Sequence, residues 1–219
     1  MSDLRNDIIE LFTKTYKNDL WNMGRGESKS GLGSSLDYTI NFRRELVEII
    51  EKYNIKKLFD CSCGDWNWMK AISSHLPDYI GNDVVRDLID ENNIKYGNEK
   101  INFVCNDMLS QLKTYNDDEL DLVVCRHTLE HLTTDYSIKV LLEIKRVSKY
   151  ALITSAKNSD NENHDLNMDG HSGRMVNLNK DPYLNYIGKP MYRFFDHVGH
   201  EKVDVTGDPN GCFGYLYKF

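Results

Sequence analysis

From Lys57 onward the chain alternates short apolar runs with helix-like segments, and this alternation restricts its fold more than any other feature. The runs lie at Lys57–Asp60, Tyr79–Asp83, Ile101–Cys105, Leu120–Cys125 and Tyr150–Thr154. Helix-like stretches fall between most of them, at Trp66–His75, Val85–Tyr96 and Ser137–Val147. Strands alternating with helices imply βαβ units and a parallel sheet. Right-handed crossovers then place helices on both faces and a ligand crevice at the carboxyl ends of the strands. The C-terminus departs from this rule: Glu201–Thr206 and Phe213–Phe219 read as two strands of a hairpin joined by Gly207-Asp208-Pro209-Asn210-Gly211. The expected fold is α/β and Rossmann-like: a doubly wound, mostly parallel seven-stranded sheet with an antiparallel C-terminal hairpin.

Upstream, apolar residues at Leu4, Ile8, Leu11, Phe12 and Tyr16 have helical spacing, as do Phe42, Leu46, Ile49, Ile50 and Tyr53. A glycine- and serine-rich stretch from Trp21 to Ser35 separates them. Residues 1–45 are expected to form a cap over the site and 46–219 the main domain. At 219 residues the chain is long enough to bury a full sheet core.

The first run ends in Asp60-Cys61-Ser62-Cys63-Gly64-Asp65-Trp66 and passes into a helix-like segment. A glycine in such a turn lets backbone approach a ligand closely. The next two runs also end in acids. Asp83 lies where a carboxylate grips a ribose diol, and Asp107 is placed to accept a hydrogen bond from an adenine amine. A strand-end or capping role is the plainer alternative for each acid alone. Three acids at successive strand ends form a pattern.

On these residues the sequence resembles the class I S-adenosylmethionine-dependent methyltransferases, from about Ile55 to the C-terminus. The resemblance implies S-adenosylmethionine as cofactor and S-adenosylhomocysteine as product. It sets Asp60, Cys61 and Gly64 near the methionine and sugar, Asp83 on the ribose, and Asp107 with Met108 at the adenine. The run through Asp121 to Cys125 and the following Thr128–Leu132 look like that family's fourth motif, which brings Cys125 to the site. One departure is clear: Ser62 and Trp66 stand where the family's turn has its first and third glycines. Trp66, replacing a glycine beside the cofactor, is expected to line the site. A pyrophosphate would need the missing glycines, so a nicotinamide cofactor is disfavoured. With the upstream Ser30–Ser35 stretch, the turn is similar to a narrower bacterial group associated with surface-polysaccharide (capsule) modification.

Arg126, His127 and His131 follow the fourth run and are the candidate catalytic residues. A sugar hydroxyl needs a general base, usually histidine; an anionic phosphoryl or phosphoramidate oxygen needs only positioning cations. His127 and His131, four apart, share a face if that segment is helical. Ser30 and Gly31 are expected over the cofactor, and Trp21, Arg25, Arg174 and Asn177 on the acceptor. No metal is expected, although a third ligand for a histidine pair exists in principle among residues 158–179.

Composition narrows the partners. A net charge of −7 argues against a nucleic-acid partner held through phosphates. No apolar run approaches a membrane span, the N-terminal stretch does not read as a signal peptide, and five cysteines read as reduced thiols; a cytoplasmic location is expected. The expected function is O-methylation of a small polar acceptor of surface-polysaccharide biosynthesis. The alternatives are N-methylation of an amine or nucleic-acid base, or a cofactor-binding protein without turnover.

Overall fold

A computed structural model describes residues 2–22, 26–156, 163–165, 174, 176–197 and 212–219. Its sheet has seven strands: β1 (Lys57–Cys61), β2 (Asp78–Asp83), β3 (Ile101–Cys105), β4 (Leu120–Cys125), β5 (Ser148–Ala156), β6 (Tyr192–His197) and β7 (Cys212–Lys218). The spatial order is β3-β2-β1-β4-β5-β7-β6. The first five strands are parallel, while β7 runs antiparallel to both β5 and β6. This is the expected Rossmann-like architecture with one difference at its end. The strand paired with β7 is Tyr192–His197, whereas the run at 201–206 lies outside the described residues.

Among the described residues six α-helices accompany the sheet: α1 (Ser2–Lys17), α2 (Ile40–Lys52), α3 (Arg86–Tyr96), α4 (Met108–Leu112), α5 (Thr134–Val147) and α6 (Tyr183–Ile187). The stretch Trp66–His75, read as helical after β1, begins irregular and continues as a kinked 3-10 helix over Met69–His75. Among the described residues no helix is long and apolar enough to cross a membrane.

Strand periodicity sorts the core into two layers, because neighbouring side chains on a strand face opposite ways. Phe59, Val123, Ala151, Ile153, Tyr215 and Tyr217 pack with Val140, Leu141 and Ile144 of α5. Leu58, Leu122, Val124, Leu152 and Leu216 pack on the other face with Phe42, Leu46 and Ile49 of α2. Because α2 runs through position 45 and buries residues on both sides of it, the division expected at 45/46 falls inside a helix.

Sequence order reverses between β1, which continues to β2 and β3, and its other neighbour β4. Loops leaving β1 and β4 therefore diverge and open a crevice at their carboxyl ends. The far edge also bears on this crevice, since β6 carries Asp196, buried with 1% exposure. Its seating depends on Gly214 of β7: a Cβ there would lie 2.3 Å from the Phe194 ring. Gly214→Ala is expected to destabilise the protein by about 1–3 kcal/mol through overpacking, read as a lower urea midpoint with an unchanged m-value.

Candidate active site

The turn after β1 keeps the backbone of a glycine-rich loop while lacking most of its glycines. Ser62 (φ 75°), Gly64 (φ 55°) and Trp66 (φ 56°) all take left-handed conformations. Each non-glycine residue there costs about 1–2 kcal/mol, so the surroundings must hold the turn in place. They do so from several sides. The amides of Ser62 and Cys63 both donate to the carbonyl of Asn82, at 2.8 and 2.9 Å. The amide of Gly64 donates to Asp83 at 3.2 Å, and Asn92 Nδ2 donates to the carbonyl of Gly64 at 2.8 Å.

A cavity of about 310 Å³ opens above this turn. Its floor includes Asp60, Ser62, Cys63, Gly64, Asp83, Asp107 and Met108, its far wall Arg126, His127, Glu130 and His131, and its roof Phe12, Tyr16, Trp21, Ser30 and Gly31. Eleven of the residues expected at the site from sequence thus meet around one cavity: Asp60, Gly64, Asp83, Asp107, Met108, Ser30, Gly31, Trp21, Arg126, His127 and His131.

The other candidates fall elsewhere. Cys61 and Cys125 are fully buried in the α5-side core layer, because their strand parity points them away from the crevice. Trp66 is 2% exposed and packed among Tyr79, Tyr96 and Phe103; its left-handed backbone turns the ring into the core rather than the cavity. Arg174 is a fastener. Its guanidinium nitrogens donate to the carbonyls of Leu129, Leu132 and His164 and to Ser137 Oγ and Tyr183 Oη, and its amide donates to Glu130 O. Asn177 is likewise buried in loop packing, where its Oδ1 accepts from the amide of Asn179. Arg25, expected at the acceptor, lies outside the described residues, as does most of 158–179, named as a source of a third metal ligand.

The three acids share the crevice but differ in surroundings. Asp60 accepts from Tyr79 Oη at 2.8 Å, and burial pushes its carboxyl up to about 7 despite that bond. Burial likewise raises Asp83 to about 6, opposed by the amides of Val85 and Gly64. Asp107 caps α4 through the amide of Ser110 and accepts from Tyr136 Oη, each at 2.9 Å. Its capping role and its place on the cavity wall coexist.

Leu129–His131 is a single 3-10 turn rather than an α-helix, and His127, two residues before it, has φ 51°. The two histidines therefore do not share a helix face, yet both reach the cavity. Their electrostatics differ. Burial and Arg126 disfavour charge on His127, but Glu130 at 2.7 Å from Nδ1 and Asp196 at 3.3 Å from Nε2 outweigh them and raise it to about 8. Burial lowers His131 below its ordinary 6.5 against the pull of Glu130. At neutral pH His127 is mainly an imidazolium between two carboxylates, and His131 a neutral imidazole. The His131 ring packs 5.4 Å from Trp21 and edge-on to Phe12.

Arg126 is 7% exposed and committed. Nη1 donates to Gly33 O at 2.8 Å, Nη2 lies 3.0 Å from Asp196, and the guanidinium rests over Phe42 and Trp68. His127, Asp196 and Cys212 present ligand atoms within 4.8 Å of one another. The Arg126 guanidinium already supplies the cation at Asp196, and burial raises the Cys212 thiol well above its ordinary value, so this donor set is poorly suited to a metal.

Residue types in the sequence did not single out Tyr16, Asp65, Glu130 or Asp196. Asp65 secures the cap, accepting from Ser28 Oγ (3.0 Å), the Lys29 amide (2.7 Å) and Ser30 Oγ (3.0 Å). Ser30 Oγ also pairs with Tyr16 Oη at 2.8 Å. Only the position of Asp65 beside Gly64 in the turn hinted at a role.

Comparison with known proteins agrees with this geometry. Residues 59–151 match the family model described as a methyltransferase domain. Solved structures of S-adenosylmethionine-dependent methyltransferases share the chain's fold. An N1-methyltransferase of 1,6-didemethyltoxoflavin from Burkholderia thailandensis, bound to that compound and S-adenosylhomocysteine, is similar at 11% identity and a TM-score of 0.68, over 99% of this chain and 89% of that one. Magnesium protoporphyrin IX methyltransferase from Synechocystis PCC 6803, with bound S-adenosylmethionine, aligns at 11% identity and a TM-score of 0.61, over 97% and 95%. A SAM-dependent methyltransferase from Archaeoglobus fulgidus aligns at 18% identity and a TM-score of 0.54, over 81% and 94%. No curated protein sequence matches the chain.

The cap bonds to Asp65 are separable from the domain core. Asp65→Ala is expected to speed amide hydrogen exchange by at least about tenfold at residues 28–31, from loss of roughly 1.5–3 kcal/mol of charge-assisted bonding. Exchange in β1 and β4 should stay as slow as in the parent protein.

Proposed function

We propose that the chain transfers the methyl group of S-adenosylmethionine to an oxygen of a small polar acceptor, a building block of surface polysaccharide, and releases S-adenosylhomocysteine. The observation that carries the oxygen-transfer reading is the place of His131: its imidazole lines the cavity wall against Phe12 and Trp21, opposite the acid-lined crevice. The donor reading rests on the crevice itself. Three carboxyl groups at successive strand ends and a roof of aromatic rings suit a cofactor bearing a ribose, an adenine and a cationic sulfonium. Asp83 would hold the ribose hydroxyls, Asp107 with Met108 the adenine, and Asp60 with Gly64 the methionine end. Ser30 and Gly31 would cover the cofactor, and Trp21 would border the acceptor. The bound cofactor supplies an electrophilic methyl group on sulfur, open to direct displacement.

The protein's own task is to align the acceptor oxygen, exclude water and take its proton. His131 is suited to the last step because its lowered pKa leaves it unprotonated at neutral pH. His127, with both ring nitrogens beside carboxylates, is poorly placed to act as a base. Arg126 is held by Asp196 and Gly33, so neither cation near the acceptor is free of a partner. This arrangement favours a hydroxyl acceptor over an anionic phosphoryl one.

Calorimetry tests the donor. S-adenosylmethionine should bind the parent protein and bind Asp83→Ala at least about tenfold more weakly, since a bond to a charged group contributes roughly 1.5–3 kcal/mol. Heats indistinguishable from buffer in the parent protein would overturn the reading.

An activity screen over nucleotide-activated sugars, phosphorylated sugars and amines tests the acceptor. With a hydroxylated sugar, His131→Gln should lower kcat by about 10²–10⁴-fold. In the parent protein kcat should rise with pH through a midpoint below 6.5, as His131 loses its proton, and His131→Gln should lack that limb. Transfer to amines alone would replace oxygen by nitrogen as the accepting atom.

A further inference from the structure

Asp196 belongs to the edge strand β6, seventy positions after Arg126, yet its carboxylate meets both members of the Arg126-His127 pair. Oδ2 lies 3.0 Å from Arg126 Nη2 and 3.3 Å from His127 Nε2, and the side chain is fully shielded from solvent. The other faces of these partners point to the two halves of the cavity. Arg126 Nη1 reaches the carbonyl of Gly33 in the cap, and His127 Nδ1 reaches Glu130 at 2.7 Å. Glu130 lines the acceptor wall next to His131. A chain of contacts thus runs from the cap through Asp196 to the acceptor wall.

We propose that Asp196 is a positioning residue of the methyl-transfer site, orienting His127 so that Glu130 stays fixed beside His131, and tying this arrangement through Arg126 to the closed cap. The role of the assembled wall rests on the methyltransferase reading; the coupling of Asp196 to His127 does not. Asp196 touches neither acceptor nor cofactor in this role. It acts through His127, and His127 acts through Glu130.

The groups facing His127 among the described residues are Arg126 at the end of β4, Glu130 and His131 on the 3-10 turn, Asp196 on β6 and Cys212 on β7. Arg126 opposes a charge on the imidazole, while Glu130 and Asp196 favour it. The Cys212 thiol stays protonated in its buried setting. Replacing the Asp196 carboxylate by an amide of the same shape removes one of the two supports and leaves Glu130.

The test is nitrogen NMR of histidine-labelled protein across a pH titration. In the parent protein the His127 imidazole should titrate near 8. In Asp196→Asn its midpoint should fall toward the ordinary 6.5. With the hydroxylated acceptor found by screening, kcat should drop by on the order of 10²-fold from misplacement of the acceptor wall, with S-adenosylmethionine affinity changed far less. Should Asp196→Asn fail to fold because Arg126 is left unpaired, Arg126→Gln/Asp196→Asn is compared with Arg126→Gln alone, and the His127 midpoint should again be lower in the double variant. An unchanged His127 midpoint in either comparison overturns the proposal. Failure of the parent protein to bind S-adenosylmethionine would overturn the donor reading while leaving the NMR comparison intact.

Discussion

The bond from the Gly64 amide to the Asp83 carboxylate joins the end of β1 to the end of β2, and much of the site depends on it. It holds a turn in which two non-glycine residues occupy left-handed backbone. Such a turn is unfavourable in isolation and persists only where several groups over-determine it. Asn82, Asp83 and Asn92, all from β2 or α3, are those groups. The turn then presents Gly64 and Asp65 to the cap. A Cβ on Gly64 would approach Ser30 Oγ to 2.4 Å, so this glycine gives room to the cap as well as to any ligand beneath it.

The same economy of position governs the opposite wall. Arg126, His127, Glu130 and Asp196 form a run of paired opposite charges at the end of β4. Burying charges is costly unless each is paired, and breaking one pair exposes the next to an uncompensated field. The set is therefore better understood as one unit than as separate catalytic candidates. Its outcome is a division of labour between two histidines four residues apart. Carboxylates on both sides hold the proton on His127, while burial removes it from His131. Sequence spacing treats the two alike; their environments separate them.

What sequence made legible follows from the range of the forces involved. The five parallel strands appear as apolar runs because both faces of each are covered, and the acids closing β2 and β3 stand out against that apolar background. The end of the sheet was harder to place. Glu201–Thr206 has the β-branched alternation of a strand, whereas Tyr192–His197 mixes three aromatics with three charged or titratable residues and reads less clearly. Its pairing to β7 is set by packing, with Phe194 lying across Gly214. Helix α4, at five residues, is too short for periodicity to register. Cys61, Cys125 and Trp66 were drawn to the site by motif position, but strand parity and a left-handed φ direct their side chains into the core.

The misplacement of Arg174 shows the same limit from another side. An arginine in a polar loop after β5 is an ordinary candidate for an anionic ligand, and residue type alone gives no sign of a backbone-fixing role. In the fold its guanidinium closes on carbonyls at both ends of the 129–132 turn, the segment that carries Glu130 and His131. The Leu129 carbonyl accepts from the Leu132 amide within the turn, but burying the carbonyls of Glu130 and Leu132 without donors would be costly. Arg174 supplies the donors from a loop more than forty residues away. Its hydrogen bonds fix the backbone that bears Glu130 and His131, and so act on the cavity wall from outside it.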